Sequence, residues 1–299
     1  MKKNNSKKHH YLPRHYLNGF TDSKNRFFVY DKQTNKIIQT TPSATFFENN
    51  LNTITYPNGS NEDLLEDIYT DIENRCWVSF DKIRASNYKT PIELLDKMHL
   101  FYFLLFLHWR LPSNIKFVEQ LSEKLFLDNN QLDYFKLKQK SGEKVPGDVI
   151  KKINRSLAFK KFTKIVAPEA PFFKDKDWAA KLENWRFFYT GDEKNWFIVG
   201  DNPIVTRGIQ DHDPVYCLEE FIFPVSGKIL LVNINPPIDK SLSPKSVLEC
   251  NIAIIERAQR FVACQNKDFL EALIKLYKVD IQLGKTNTII SEVFNTLMN

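Results

Sequence analysis

Near the centre of the chain an apolar run, Leu100 to Leu107, leads into His108-Trp109-Arg110-Leu111-Pro112, and this junction constrains the fold more than any other stretch. A helix that is apolar on all sides can only sit inside a packed body. The run covers eight residues, far short of the roughly 20 that span a bilayer, so no membrane partner is expected. Pro112 stops the helix. Arg110 therefore arrives in an apolar setting, where an arginine needs a carboxylate, a carbonyl or an anionic ligand. An ion pair with Glu66 or Glu73 and a place in an anion-binding site satisfy that need equally well. His108 reads as a satisfied core histidine or, where a cleft reaches it, as a substrate contact.

Composition supports a packed body around that helix. Of 299 residues, 42% are hydrophobic and 26% charged, which excludes global disorder. The 24 phenylalanines carry no polar handle and belong to a core, not to a base-stacking platform. Nine glycines are too few for a protein built on Gly-rich phosphate loops. The net charge of +6 falls to about +2 without Lys2, Lys3, Lys7 and Lys8, so residues 1–9 read as a basic flexible tail on a nearly neutral body. Cys76, Cys217, Cys250 and Cys264 form no C-x-x-C pair, and no export segment is visible. Buried thiols in a reducing cytoplasm are expected.

Residues 10–299 read as one α+β domain. Arg26–Tyr30 and Lys36–Thr40 flank D-K-Q-T-N as a hairpin, and Leu51–Tyr56 is a third short strand. A helical segment follows at about 61–165, opening on an Asn61 cap, with helices ending near Phe80, Arg110 and Leu127 and a basic helix at 148–165. Strands then return as two hairpins, Trp185–Tyr189 with Trp196–Val199 and Glu220–Pro224 with Lys228–Ile234. A helix at Ser243–Gln259, a strand at Arg260–Cys264 and a helix at Lys267–Tyr277 complete the pattern. With no βαβ alternation, the expected architecture has N-terminal and C-terminal antiparallel strands sharing a sheet, with a helical middle.

Polar residues in apolar company mark the candidate site. His10, Arg14 and His15 sit among Tyr and Leu around Pro13, a grouping able to present cations to phosphate or carboxylate. Glu66 and Glu73 fall on one line of a helix, about 10 Å apart by its rise, and Trp77 extends that line. Such carboxylates serve as acid and base or, with a third ligand, hold a divalent cation, Mg or Mn; the alternative is an ordinary acidic helix face. Asp201, followed by Asn202, either offers a carboxylate at a strand end or simply initiates a turn before Pro203. Lys151, Lys152, Arg155 and Lys160, with Lys161 and Lys164, make a basic helix face, either solvated or touching a nucleic-acid backbone. No Walker A, G-x-G-x-x-G, G-x-S-x-G or H-E-x-x-H motif occurs.

These stretches also line up with a family pattern. H-Y-L-P-R-H-Y-L-N-G-F (His10 to Phe20), the F-F-V-Y-D-K strand, R-L-P (Arg110 to Pro112), G-D-N-P-I (Gly200 to Ile204) and F-P-V-S-G (Phe223 to Gly227) together resemble a mostly bacterial family named domain of unknown function 4238. That family shows H-Y-x-P-x-x-Y-L-x-x-F, then R-x-P, S-D-N-P-V and P-L-S-P. The likeness runs roughly from His10 to Cys264, with Gly200 in place of Ser, and Val225 and Gly227 in place of Leu and Pro. It implies one shared fold and one shared site built from these motifs, no defined activity, and a setting in bacterial defence neighbourhoods.

Taken together, His10, His15, Glu66, Glu73, Arg110, Asp201 and Asn202 are expected around one cleft. Glu66, Glu73, Asp201, His15 and Arg110 are the catalytic candidates, with the three carboxylates as metal ligands, and His10, Arg14, Asn202 and His108 are the substrate contacts. The expected function is a metal-dependent nuclease or phosphodiesterase acting on nucleic acid or nucleotides, in a phage-defence or toxin effector. The rival is a non-catalytic sensor whose same residues form a buried structural network.

Overall fold

The computed structural model describes residues 7–55, 61–87, 89–118, 146–148, 161, 163–165, 167–169, 177–190, 196–207, 220–237, 241–285 and 288–298. Order is established early. Strand β1 (Lys8–His10) pairs antiparallel with β4 (Phe47–Asn49), so the predicted flexible tail, drawn through residue 9, is too long. Strand alternation sends His9 to the opposite side from its neighbours, and its side chain is fully buried. The short helix α1 (Arg14–Asn18) follows Pro13 and ends under Arg84, which donates to the His15 and Tyr16 carbonyls at 3.1 and 2.8 Å. A β-carbon at Gly19 would lie 2.7 Å from Arg84 Nη2, so any other residue here would have to displace that guanidinium.

The hairpin β2 (Phe27–Asp31) and β3 (Lys36–Thr40) forms as predicted. Its inner strand takes β12 (Phe261–Cys264) as its other neighbour, and β12 in turn pairs with β8 (Val199–Gly200). The order β3-β2-β12-β8 is the sheet shared by early and late strands that the sequence led us to expect. A β-carbon at Gly200 would sit 3.0 Å from Ala258 Cβ and 3.3 Å from the Ile254 carbonyl. A side chain here would need these neighbours to give by a few tenths of an ångström.

Strands β5 (Ile54–Thr55) and β6 (Asn61–Glu62) pair, so Asn61, the predicted helix cap, belongs to a strand. The helix α2 (Leu64–Ala85) starts later, with Asp63 at its cap and Glu66 and Asp67 in the first turn, where carboxylates suit the helix dipole. It also runs past the predicted end at Phe80. Helix α3 (Leu94–Arg110) packs on α2, and its last seven residues, Leu104 to Arg110, are all buried. A single helical turn, α4 (Trp178–Lys181), precedes the second sheet.

That sheet has the order β7-β11-β10-β9, built from β7 (Trp185–Tyr189), β9 (Val205–Thr206), β10 (Phe221–Ser226) and β11 (Ile229–Asn233). The β10–β11 hairpin is as predicted. The hairpin expected between Trp185–Tyr189 and Trp196–Val199 does not form, because β7 pairs with β11 and β8 with β12. Long-range pairing with the wholly buried β11 outweighs the local turn signal, since it hides apolar surface on both sides. Along β10, Phe221, Phe223 and Val225 join a core with α2 and α3, while Ile222 joins a second core. The second core holds α5 (Pro244–Arg257), α6 (Lys267–Gln282) and α7 (Ile289–Met298). The sheet is thus a middle layer between two sets of helices, a mixed α+β arrangement. No helix of the described residues is long and apolar enough to cross a membrane.

Candidate functional site

On α2, Leu65, Tyr69, Ile72 and Cys76 face the core. The neighbouring line Glu66, Thr70, Glu73 and Trp77 follows the i, i+4, i+7, i+11 spacing of one helix face. That line forms one wall of a cleft of about 340 Å³. Opposite it stand His10 from β1, Pro13, and Arg14 and His15 from α1, with Arg110 entering from the end of α3. Of the residues expected around one cleft, His10, His15, Glu66, Glu73 and Arg110 line it, with Arg14 beside them. Thr70, Asn18, Asn25 and Ser43 also line the cleft and were missed; helical spacing alone would have found Thr70.

Arg110 is 6% exposed and forms an ion pair with Glu73, and its guanidinium lies over the Tyr69 ring, 4.7 Å from the centroid. Burial works against its charge, yet Glu73 and Glu66 outweigh that cost and hold its pKa above the ordinary guanidinium value. Three buried polar atoms in this region, Arg110 Nε, the Tyr69 hydroxyl and His10 Nε2, have no hydrogen-bond partner among the described residues. Such atoms carry an unrecovered desolvation cost unless a ligand or water meets them. Burial, then the charges of Arg110 and Arg14, lower the His10 pKa, while hydrogen bonding to the backbone at Pro42 and Ser43 raises it again.

Behind Glu66 lies a chain of buried polar groups. Asn52, fully buried, donates through Nδ2 to Glu66 Oε1 at 2.6 Å and accepts at Oδ1 from Lys164 Nζ at 3.3 Å. The backbone N–H of Asn52 donates to His9 Nδ1 at 2.9 Å, which puts the His9 proton on Nε2, 3.8 Å from Asp63. Lys161 donates to the Thr53 carbonyl. Burial, then Lys161 and Arg110, lower the Lys164 amine to about 8. Two of the six cations of the predicted basic face are therefore turned into the protein. The proposed nucleic-acid contacts Lys151, Lys152, Arg155 and Lys160 lie outside the described residues.

His15 stacks on Trp77, with ring centroids 4.4 Å apart, and its Nε2 is 2.8 Å from Asp81 Oδ1. Its Nδ1 has no hydrogen-bond partner among the described residues. The imidazole is fixed in orientation, with one nitrogen in use.

Three of the expected site residues belong elsewhere. Asp201 does not line the cleft: Oδ1 accepts from Gln259 N–H at 2.8 Å, and Oδ2 from Arg260 and Phe261 N–H at 2.8 and 2.9 Å. It ties the end of β8 to the bend that leads into β12, and its carboxyl, although its pKa is raised by burial, is steadied by those three donors. Asn202, buried in the same turn, is also absent from the cleft wall. His108 is buried beside Asn114, whose Nδ2 approaches its Nδ1 at 3.1 Å and its carbonyl at 2.7 Å, and it too does not reach the cleft. The metal centre expected from Glu66, Glu73 and Asp201 loses its third ligand. Among the described residues, no three His, Cys, Asp or Glu side chains group closely enough to hold an ion.

One further polar cluster has the residue types of nucleophilic catalysis without its geometry. Ser79 donates to Asp96 at 2.7 Å and meets His99 Nδ1 at 2.8 Å. The hydroxyl proton is committed to Asp96, so His99 is not placed to remove it, and Ser79 is 2% exposed.

No curated protein and no solved structure matches the chain. Residues 8–268 match a family model described as a protein of unknown function, DUF4238, and this span takes in β1, the cleft and both sheets. With most of its length covered by that match, the chain belongs to the DUF4238 family.

Proposed function

We propose that the cleft binds a phosphate-bearing ligand, a nucleotide or a nucleic-acid segment, and cleaves a phosphodiester bond in it. The observation that carries this reading is the meeting of two arginines, two histidines and two glutamates in one cleft of single-ligand size. Arg14 and Arg110 supply fixed positive charge where a phosphoryl group gains charge in its transition state. His10, His15 and the glutamates supply groups able to take and give protons. Glu73 holds Arg110 in place, a positioning role that an ion pair performs without touching the substrate.

The test is cleavage of RNA, DNA and cyclic dinucleotides by pure protein, with binding followed in parallel by fluorescence anisotropy. Arg14→Ala is expected to weaken binding about tenfold, and Glu73→Gln to lower turnover more than affinity. Absence of both binding and cleavage across the panel, or unchanged activity in both variants, would overturn the proposal. The buried Arg110–Glu73 pair also favours a second reading, a non-catalytic sensor built on the same cleft. That reading predicts binding without product.

A further inference from the structure

We infer that the cleft cleaves RNA through the ribose 2′-hydroxyl, with His10 as general base and His15 as general acid. The inference rests on the proposed phosphodiesterase reading and names its substrate class.

The two histidines are held in different ways. His10 lines the cleft, and its Nε2 is buried with no partner among the described residues. A proton held on Nδ1 leaves a lone pair on Nε2, the form a general base requires. Burial, then the adjacent charges of Arg110 and Arg14, lower its pKa and so favour the neutral ring. His15 differs. Asp81 engages its Nε2 at 2.8 Å and Trp77 fixes the ring plane, which leaves Nδ1 as the nitrogen free to serve a leaving group. The arginines complete the set by meeting charge on the phosphoryl oxygens.

These groups suit one reaction in particular. His10 Nε2 takes the proton of the 2′-hydroxyl, and the 2′-oxygen attacks the adjacent phosphorus. The new 2′-O–P bond forms as the P–O5′ bond breaks, and His15 Nδ1–H delivers a proton to the departing 5′-oxygen. The products are a 2′,3′-cyclic phosphate and a 5′-hydroxyl end, and proton exchange with water restores both rings. The nucleophile comes from the substrate and is already positioned beside the phosphorus, so the protein need not generate a hydroxide. DNA lacks that hydroxyl and would bind without reacting.

The experiment uses the full chain and a mixed-sequence single-stranded RNA oligonucleotide, compared in EDTA with its DNA and 2′-O-methyl counterparts. The expected result is cleavage of RNA alone, undiminished by EDTA, with cyclic phosphate on the upstream fragment. His10→Ala should slow cleavage about 100-fold, and added imidazole should restore part of the rate. That rescue distinguishes loss of a base from a damaged fold. Cleavage of DNA, loss of activity in EDTA, or a 3′-hydroxyl product would overturn the inference while leaving the phosphodiesterase reading in place. Binding of RNA without cleavage would overturn both and leave the sensor. Absence of any binding would remove the cleft as a phosphate site altogether.

Discussion

The cleft beside α2 and the turn at Asp201 both bury ionisable side chains in stretches shared with the family, and they treat those side chains in opposite ways. At Asp201 each carboxylate oxygen is met by backbone N–H groups from Gln259 to Phe261. At the cleft, Arg110 Nε and His10 Nε2 are buried without a partner among the described residues. A charge surrounded by main-chain donors has been used to fix the chain's path. A cluster whose donors and acceptors are left over has room for something else. Burial of a polar group alone therefore does not mark a site; unmet hydrogen bonds on residues that line one cleft are the stronger sign.

The largest expected effect strikes the turn. Asp201→Ala strands three amide donors and should cost about 4 kcal/mol in urea unfolding, from the usual penalty for unmet buried donors. Recovery of native-like binding in whatever fraction stays folded would keep the two regions distinct. A folded, fully stable variant that has lost only binding would reverse their roles.

Next is Lys164, whose amine is lowered to about 8 in the folded chain against 10.5 when free. Between those values the unfolded chain holds the proton and the folded chain does not, so stability rises with pH across that window. Below about 8 the cost of burying the charge is fully present. Lys164→Met should flatten a rise of up to about 3 kcal/mol, seen in urea midpoints taken from pH 7 to pH 10. A rise as steep in the variant as in the wild type would show that the buried amine does not titrate there.

Arg110→Ala removes the partner of Glu73, and should cost about 2 kcal/mol, below the range for fully buried pairs because Glu73 faces the cleft. Adding Glu73→Gln should recover part of that loss, whereas strictly additive losses would mean the pair is not coupled. Asn52→Ala, which frees Glu66 from its 2.6 Å contact, should cost about 1 kcal/mol and lower turnover with little change in affinity. The smallest effect belongs to Asp81→Asn. It weakens a partly exposed contact to His15, worth a few tenths of a kcal/mol, but should slow RNA cleavage more than it changes the melting temperature.

Much of the cleft is legible in the sequence because its residues interrupt apolar strings. Arg110 after L-L-F-L-H-W, and the glutamates aligned with Trp77, are conspicuous for their company. The error at Asp201 has a physical cause. A turn carboxylate and a site carboxylate look alike at the end of a strand, and the amides that separate them come from nearly 60 residues away. His9 is hidden by its place next to four lysines, in a strand of three residues, too short to show a period. Lys164 reads as one more cation on an amphipathic face, and only packing reveals that it points inward toward Asn52. The shared sheet is legible from the strand pattern, but the partner of β7 is not, since local turn chemistry favours the nearer strand.

The most direct measurement follows the imidazole resonances of the histidines by NMR while a 2′-O-methyl RNA oligonucleotide, which cannot react through that hydroxyl, is added to saturation. If the cleft is the ligand site, the His10 and His15 signals shift together and those of His99 and His108 stay in place. Saturation with His10 and His15 unmoved would contradict the assignment.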